Sequence, residues 1–311
     1  MPLSLRRGRV SAIRERHDAL VRLEVDGAAC VAYPTVTGPV ALDDEVLVNV
    51  QARDLELGSG GFDVLYANLT RGLGLAAEEG AHVMVLPYTP LQHARLHVEE
   101  AAEAGGSLDG MPVVCCSLHS QLAPVCAALA GLRVAYVQPA GGALPVSLSD
   151  TVRALRERGL VTATAAVAPC FDGDVQCVSL ASALLWARGG HDVAVCAIGP
   201  GIVGTGTRFG HGGLAAAEAA NAALALGGVP VVAERVSGAD ERARHRGRSH
   251  HTAAVLGLVR GDAVVADGGG DGWREACEGL PLSHMGRGPD DDPEFFAAAF
   301  AAGAAARRLL G

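Results

Sequence analysis

Apolar and polar residues follow two different rhythms along the chain. Residues 9–57 carry short β-type runs at Arg9–Ile13, Leu20–Val25, Ala29–Tyr33 and Glu45–Val50. Asp26-Gly27, Thr37-Gly38-Pro39 and Leu42-Asp43-Asp44 separate them. An Asp-Gly pair between alternating runs is a hairpin signal. No helical periodicity runs through this stretch. The pattern predicts a small β-barrel-like unit of about five strands with essentially no helix, assigned to residues 1–70. Gly58–Gly61 and Thr70–Gly80 then read as connector.

From residue 81 strand-like and helix-like segments alternate. Strands are predicted at 82–86, 112–116, 132–138, 161–167, 192–198, 229–236 and 262–267. Helices are predicted at 90–104, 120–130, 148–158, 176–188, 213–226 and 250–259, with Ser149 and Asp150 placed to cap the third. The strand runs are apolar without alternation, as expected of parallel strands covered on both faces. The expected fold class is therefore α/β. A small N-terminal β-barrel-like unit precedes a mostly parallel, doubly wound sheet with helices on both faces, over residues 81–311. A final helix starts near Pro293 and carries Arg307 and Arg308 in its last turn, where they suit the helix dipole. Gly303 interrupts its Ala-rich stretch.

Length and composition narrow the function classes. A chain of 311 residues, half of them hydrophobic and 19% charged, is globular and long enough for two domains. A net charge of -9 disfavours a nucleic-acid partner. All 25 basic residues are arginine. Without lysine there is no Schiff base, no pyridoxal phosphate anchor and no P-loop lysine. The N-terminus MPLSLRRGRV has no apolar core behind it, and no apolar run reaches the ~18–20 residues of a membrane span. The eight cysteines form no C-x-x-C pair, and runs such as Val114-Cys115-Cys116 use them as small hydrophobes. The expectation is a cytoplasmic protein with no membrane partner; a homo-oligomer is left open.

Ligands of open parallel sheets bind beyond the carboxyl ends of the strands, so the chemistry is sought there. The loop 199–213 after the fifth strand of this region contains Gly199, Gly201, Gly204, Gly206, Gly210, Gly212 and Gly213. Glycines let backbone N–H groups approach an anion ahead of a helix N-terminus. Gly201, Gly204, Thr205, Gly206, Thr207 and Arg208 are the candidate phosphate or carboxylate cradle. Residues 199–204 also match G-x-G-x-x-G, but no helix follows directly, and the acidic Glu234 lies 30 positions past Gly204. A plain long turn is the bland alternative. A second segment, Arg242–His251, packs four Arg and three His into ten residues, which suits an anion site or a solvated basic loop. Arg244 and Arg246 are its candidate anion ligands, and His250 or His251 a candidate for proton transfer. His119, two residues past Ser117 at a strand tip, is the third candidate acid/base. No G-x-S-x-G elbow surrounds either Ser117 or Ser120. Asp172 and Asp174 flank Gly173 as in a turn, and Ser283–Arg287 lies where it could close the site. No H-x-x-x-H or H-E-x-x-H pattern identifies a metal, so metal and cofactor stay open.

In order, YPTVTGPV (33–40), YTPLQ (88–92), GMPVV with LHSQL (110–122), LPVSLSD (144–150), GPGIVGTGTRFG (199–210), RHRGRSHHT (244–252) and MGRGPDDDPEFF (285–296) span nearly the whole chain. Together they resemble a bacterial family known only as a domain of unknown function. That resemblance implies no activity or cofactor. The functional expectation therefore rests on the residues: an enzyme binding a small anionic metabolite, with hydrolase or transferase chemistry. The alternatives are a non-catalytic ligand sensor and a nicotinamide-dependent oxidoreductase.

Overall fold

Buried and partly buried residues alternate along β2 (Val21–Val25), the mark of a strand with one face on a core. It belongs to the first of two units, Met1–Ala94 and Arg95–Gly311. The computed structural model describes residues 3–57, 60–71, 74–101, 106–266 and 270–311. In the first unit β1 (Leu5–Arg16), β2, β3 (Ala28–Ala32), β4 (Glu45–Asn49) and β5 (Asp63–Asn68) form a closed barrel in the order β1-β2-β3-β5-β4. β4 pairs antiparallel with β1, and β3 runs parallel to β5. Val10, Leu23, Cys30, Val46, Val48 and Leu65 fill it. Asp26 and Gly27, with φ of 49° and 79°, make the hairpin turn between β2 and β3 that their sequence announces.

Four expectations for this stretch of the chain need correction. The fifth barrel strand, β5, lies past the 9–57 stretch in which all the strands were expected, though within the residues 1–70 assigned to the unit. Two single helical turns, α1 (Pro34–Thr37) and α2 (Gln51–Asp54), sit in a stretch expected to have essentially none. The run at 82–86 joins no parallel sheet: β6 (Val83–Val85) pairs with β7 (His93–Arg95) in a two-stranded ribbon. Leu86 and Tyr88 both have positive φ, so the chain turns back at once instead of starting a crossover helix. The helix expected at 90–104 reduces to β7 and one turn, α3 (Val98–Ala101); residues 102–104 lie outside the described residues.

The second unit carries β8 (Pro112–Cys116), β9 (Val134–Gln138), β10 (Ala163–Val167), β11 (Val175–Cys177), β12 (Val193–Ala197), β13 (Val229–Ala233), the short pair β14 (Val236–Ser237) and β15 (Gly247–Arg248), and β16 (Val264–Val265). Seven of these form one sheet in the order β11-β10-β9-β12-β8-β13-β16, parallel at every pairing. Alternate residues face opposite cores. Val114 and Cys116 join a core with Tyr136, Val195 and the aromatic residues Phe295 and Phe296. Val113 and Cys115 join one with Ala135, Val137 and Cys196. α4 (Leu122–Ala128), α5 (Asp150–Glu157), α9 (Trp273–Ala276) and α10 (Pro293–Arg308) cover the first face. α6 (Leu180–Arg188), α7 (Ala215–Ala225) and α8 (His250–Leu258) cover the second. The expected doubly wound α/β fold is therefore the observed one. β11 is an addition, a short parallel strand where a helix was expected to begin.

Gly303 does not break α10. A Cβ there would stand 2.4 Å from the Val125 carbonyl oxygen, so its glycine lets α10 lie close against α4. All eight cysteines are free and buried, and burial pushes thiols such as Cys170 and Cys196 up to about 12, far from thiolate reactivity. Among the described residues no helix is long and apolar enough to cross a membrane.

Candidate functional site

β12, β8 and β13 stand side by side in the sheet, and the segments after their carboxyl ends converge. Ser117 to Gln121 follow β8, the glycine loop follows β12, and the Arg/His segment follows β13. Gln121 fastens this edge: its side-chain amide donates to the carbonyls of Ala233 and Glu234 at 3.0 and 2.9 Å. The β14–β15 pair closes residues 238–246 into a loop, and Ser249 caps α8 by accepting from the His251 N–H at 3.1 Å.

The glycine loop is a hairpin. Gly204 bridges His211, the Thr205 N–H donates to the Gly210 carbonyl, and Gly212 donates to Val203 at 2.8 Å. Most of its glycines serve close packing. A Cβ at Gly199 would meet the Ala143 carbonyl at 2.2 Å, and one at Gly213 would meet the Ser117 carbonyl at 2.8 Å. Gly201, at φ 73°, supplies a left-handed turn. Because residues 199–204 lead into a hairpin, the turn-into-helix geometry of a dinucleotide fingerprint is not formed there. The tip, Thr205 to Phe209, stands in solvent.

Two guanidinium groups flank this tip. Arg208 lies over the Phe209 ring at 4.8 Å, and a Cβ at Gly257 would meet its Nη2 at 3.4 Å. Arg244 lies against the loop: a Cβ at Gly206 would stand 3.8 Å from its Cζ. Among the described residues neither has a carboxylate partner. Arg246 donates a long bond, 3.4 Å, to the Asp240 carbonyl. The other arginines are spent on structure. Arg235, Arg242 and Arg287 all reach the buried Asp240, at 3.2, 2.8 and 3.4 Å, and Arg287 also reaches Asp292. Hydrogen bonding from Arg242 holds the Asp240 carboxyl well below its usual range.

Beside them lies a cluster of imidazoles. The His211 ring stacks on His251 at 3.7 Å and meets His250 edge-on at 5.8 Å. His245 contacts His250 and His251 at 4.7 and 4.9 Å. Burial, reinforced by nearby arginines, lowers all four; His245 falls to about 3, and His250 is lowered by burial and then by Arg244. The rings are therefore neutral at pH 7. Among the described residues His250 Nε2 and His211 Nδ1 are buried without a hydrogen-bond partner.

His119 stands outside this group of ring contacts. Its Nδ1–H donates to the Ile198 carbonyl at 3.0 Å, and its Nε2 accepts from the Ser149 hydroxyl at 2.7 Å. Ser149 also caps α5, accepting from Val152 at 2.9 Å. Burial lowers His119 to about 4. It ties the ends of β8 and β12 to the start of α5. In the segment Ser283–Arg287, His284 stacks on Phe295 at 3.7 Å and stands 3.3 Å from the Ser120 hydroxyl.

The structure thus sets Gly204 against His211, Arg244 against Gly206, and His250 and His251 beside His211, while Arg208 turns its guanidinium towards Gly257. Sequence reasoning passed over His211, His245, Arg235 and Asp240. His211 and His245 lie inside the two segments singled out. Asp240 carries no local signal, since its role appears only when three arginines from different positions meet it.

Fold and site define an α/β protein with an N-terminal barrel and a polar cluster at its central strand tips. The chain belongs to the family described as "Protein of unknown function (DUF3866)", which it matches over residues 29–267. A comparison with curated proteins finds no match.

Proposed function

We propose that the chain is an enzyme that binds a small phosphate- or carboxylate-bearing metabolite between the 199–213 hairpin and the Arg/His segment. One observation carries this reading: Arg208 on the hairpin tip and Arg244 against Gly206 of that tip are both exposed and, among the described residues, without carboxylate partners, and Arg244 acts on the neutral His250 ring. Arginine forks bind anionic oxygens with two parallel hydrogen bonds. Thr205, Thr207 and the Gly206 backbone add neutral polar groups at the same tip, and Gly201 shapes the turn that leads into it.

The chemistry assigned is hydrolysis or group transfer. The arginines hold the anion, and a neutral imidazole of the cluster accepts or returns a proton. His250 stands first in this role, because its Nε2 has no partner and Arg244 loses its depressing effect once an anion neutralises it. His251 accepts from Arg235 and is less free. His119, with both nitrogens engaged, positions strand ends. Free, buried cysteines support a reducing, cytoplasmic setting.

Thermal shift against inorganic phosphate, nucleotides and dicarboxylates tests this. A ligand at about 100 times its Kd adds roughly 2.7 kcal/mol of stability. At least one anion shifts the wild type, and Arg208→Ala with Arg244→Ala abolishes the shift. No shift from any anion at millimolar concentration sinks the reading. A turnover screen on the anion that binds separates an enzyme from a ligand sensor.

A further inference from the structure

We infer that His245, His250 and His251 form a binding site for a divalent first-row transition-metal ion, with zinc the reference case. Ligand nitrogens of the three all lie within 4.8 Å of one another. Three imidazoles with an open fourth position are a recognised zinc donor set, and imidazole also suits cobalt, nickel and copper. Tetrahedral bonds of ~2.0–2.1 Å put ligand nitrogens about 3.4 Å apart, so the cluster closes by rotation of side chains. His250, partly exposed, has room for that motion.

The surroundings prepare two of the rings. His245 Nδ1 lies 2.7 Å from the Ser249 hydroxyl. When Nδ1–H donates there, Nε2 keeps a free lone pair, which is how outer-shell partners orient a ligating histidine. His250 Nε2 is buried and has no partner, the state of a ligand atom waiting for its ion. His251 is the weakest of the three. Arg235 Nη1 lies 3.2 Å from its Nδ1, and a guanidinium only donates, so the metal-free neutral ring carries its proton on Nε2; to ligate, that proton moves to Nδ1 and the Arg235 contact is given up. The local segment is also fixed before any ion arrives. β14 and β15 pair across its base, the turn Ala243–His245 places the first ring, and the Ser249 cap places the other two.

The nearby positive charge does not exclude a cation, because Asp240 and Asp292 engage Arg235, Arg242 and Arg287 in ion pairs. Arg244 remains unpaired and opposes the ion until an anion binds it. With a metal bound, His250 would serve as a ligand instead of the proton acceptor, and the ion would supply an acidified water for that role. The inference does not depend on the anion reading, since the metal alone is the probe.

Chelator-treated, full-length protein is titrated with cobalt(II) and followed by visible absorption. The expected result is one equivalent per chain with the strong bands of four-coordinate cobalt, displaced by zinc. His245→Ala and His250→Gln each weaken cobalt binding at least about 100-fold. His17→Ala and His191→Ala leave it unchanged. Circular dichroism confirms that each variant is folded. If His245→Ala misfolds, His250→Gln decides, because that side chain is partly exposed. Absence of cobalt binding by the wild type overturns the inference. So does undiminished binding by the folded variants, or a spectrum dominated by thiolate charge transfer.

Discussion

Replacing His119 by alanine separates a neutral structural imidazole from a titrating catalytic one. The ring joins the Ile198 carbonyl to the Ser149 hydroxyl, so His119→Ala leaves two polar partners short of a hydrogen bond and opens a cavity. At about 1–3 kcal/mol for each buried group left unsatisfied, a loss of roughly 2–6 kcal/mol is expected at pH 7. The ring's pKa falls from 6.5 to about 4 on folding, so the folded chain holds fewer protons than the unfolded chain between those values. Stability from this site is complete above pH 6.5 and is lost as pH falls towards 4. A shift of that size corresponds to about 3 kcal/mol. The variant has no such group. Urea unfolding of both proteins from pH 7 to pH 4 should therefore show their stability difference shrinking by about 3 kcal/mol. Other buried histidines lower both curves together and cancel in the difference. A difference that stays constant across this range refutes a buried, neutral His119.

Three further outcomes follow from the packing and charge of the second unit. Asp240→Asn leaves three arginines without their shared carboxylate and should cost about 3–5 kcal/mol in urea unfolding, the range for breaking a buried ion pair. Gly303→Ala forces a methyl group onto the Val125 carbonyl at 2.4 Å and should cost about 1–3 kcal/mol, against a small gain from helix propensity. Gly212→Ala meets the Gly141 carbonyl and should lower the melting temperature, whereas Gly206→Ala, with no neighbour nearer than 3.8 Å, should leave it nearly unchanged. A Gly206 variant as damaging as the Gly212 variant would contradict the division of this loop into a packed base and a free tip.

The sequence was most legible where one rule governed a whole segment. Apolar runs such as Val113–Cys116 specify parallel strands because both faces are covered, and the two cores show that covering. Asp26-Gly27 specifies its turn because both residues tolerate positive φ. Short elements were lost. β11 is only Val175–Cys177, too brief for a periodicity, and its place at the sheet edge is set by pairing with β10. Val83–Val85 looks like a sheet strand, yet the backbone at Leu86 and Tyr88 returns it into a ribbon.

At the site, the right segments were visible but the work within them was not. The glycines of 199–213 signal close approach, and the partner approached is largely protein backbone around Gly141, Ala143 and Ser117. The Arg/His segment signals charge, but only the fold shows that Arg235 and Arg242 are held by Asp240 while Arg244 is left over. The imidazole cluster draws His211 from one loop, His245 from another and His250 and His251 from the start of α8, so no local spacing pattern encodes it.

The most direct test of the anion site is a crystal structure of the protein soaked in inorganic phosphate. Tetrahedral density between the Arg208 and Arg244 guanidinium groups, at the tip formed by Thr205, Gly206 and Thr207, is the result expected. Phosphate bound elsewhere in the second unit, with this position empty at saturation, would contradict the account.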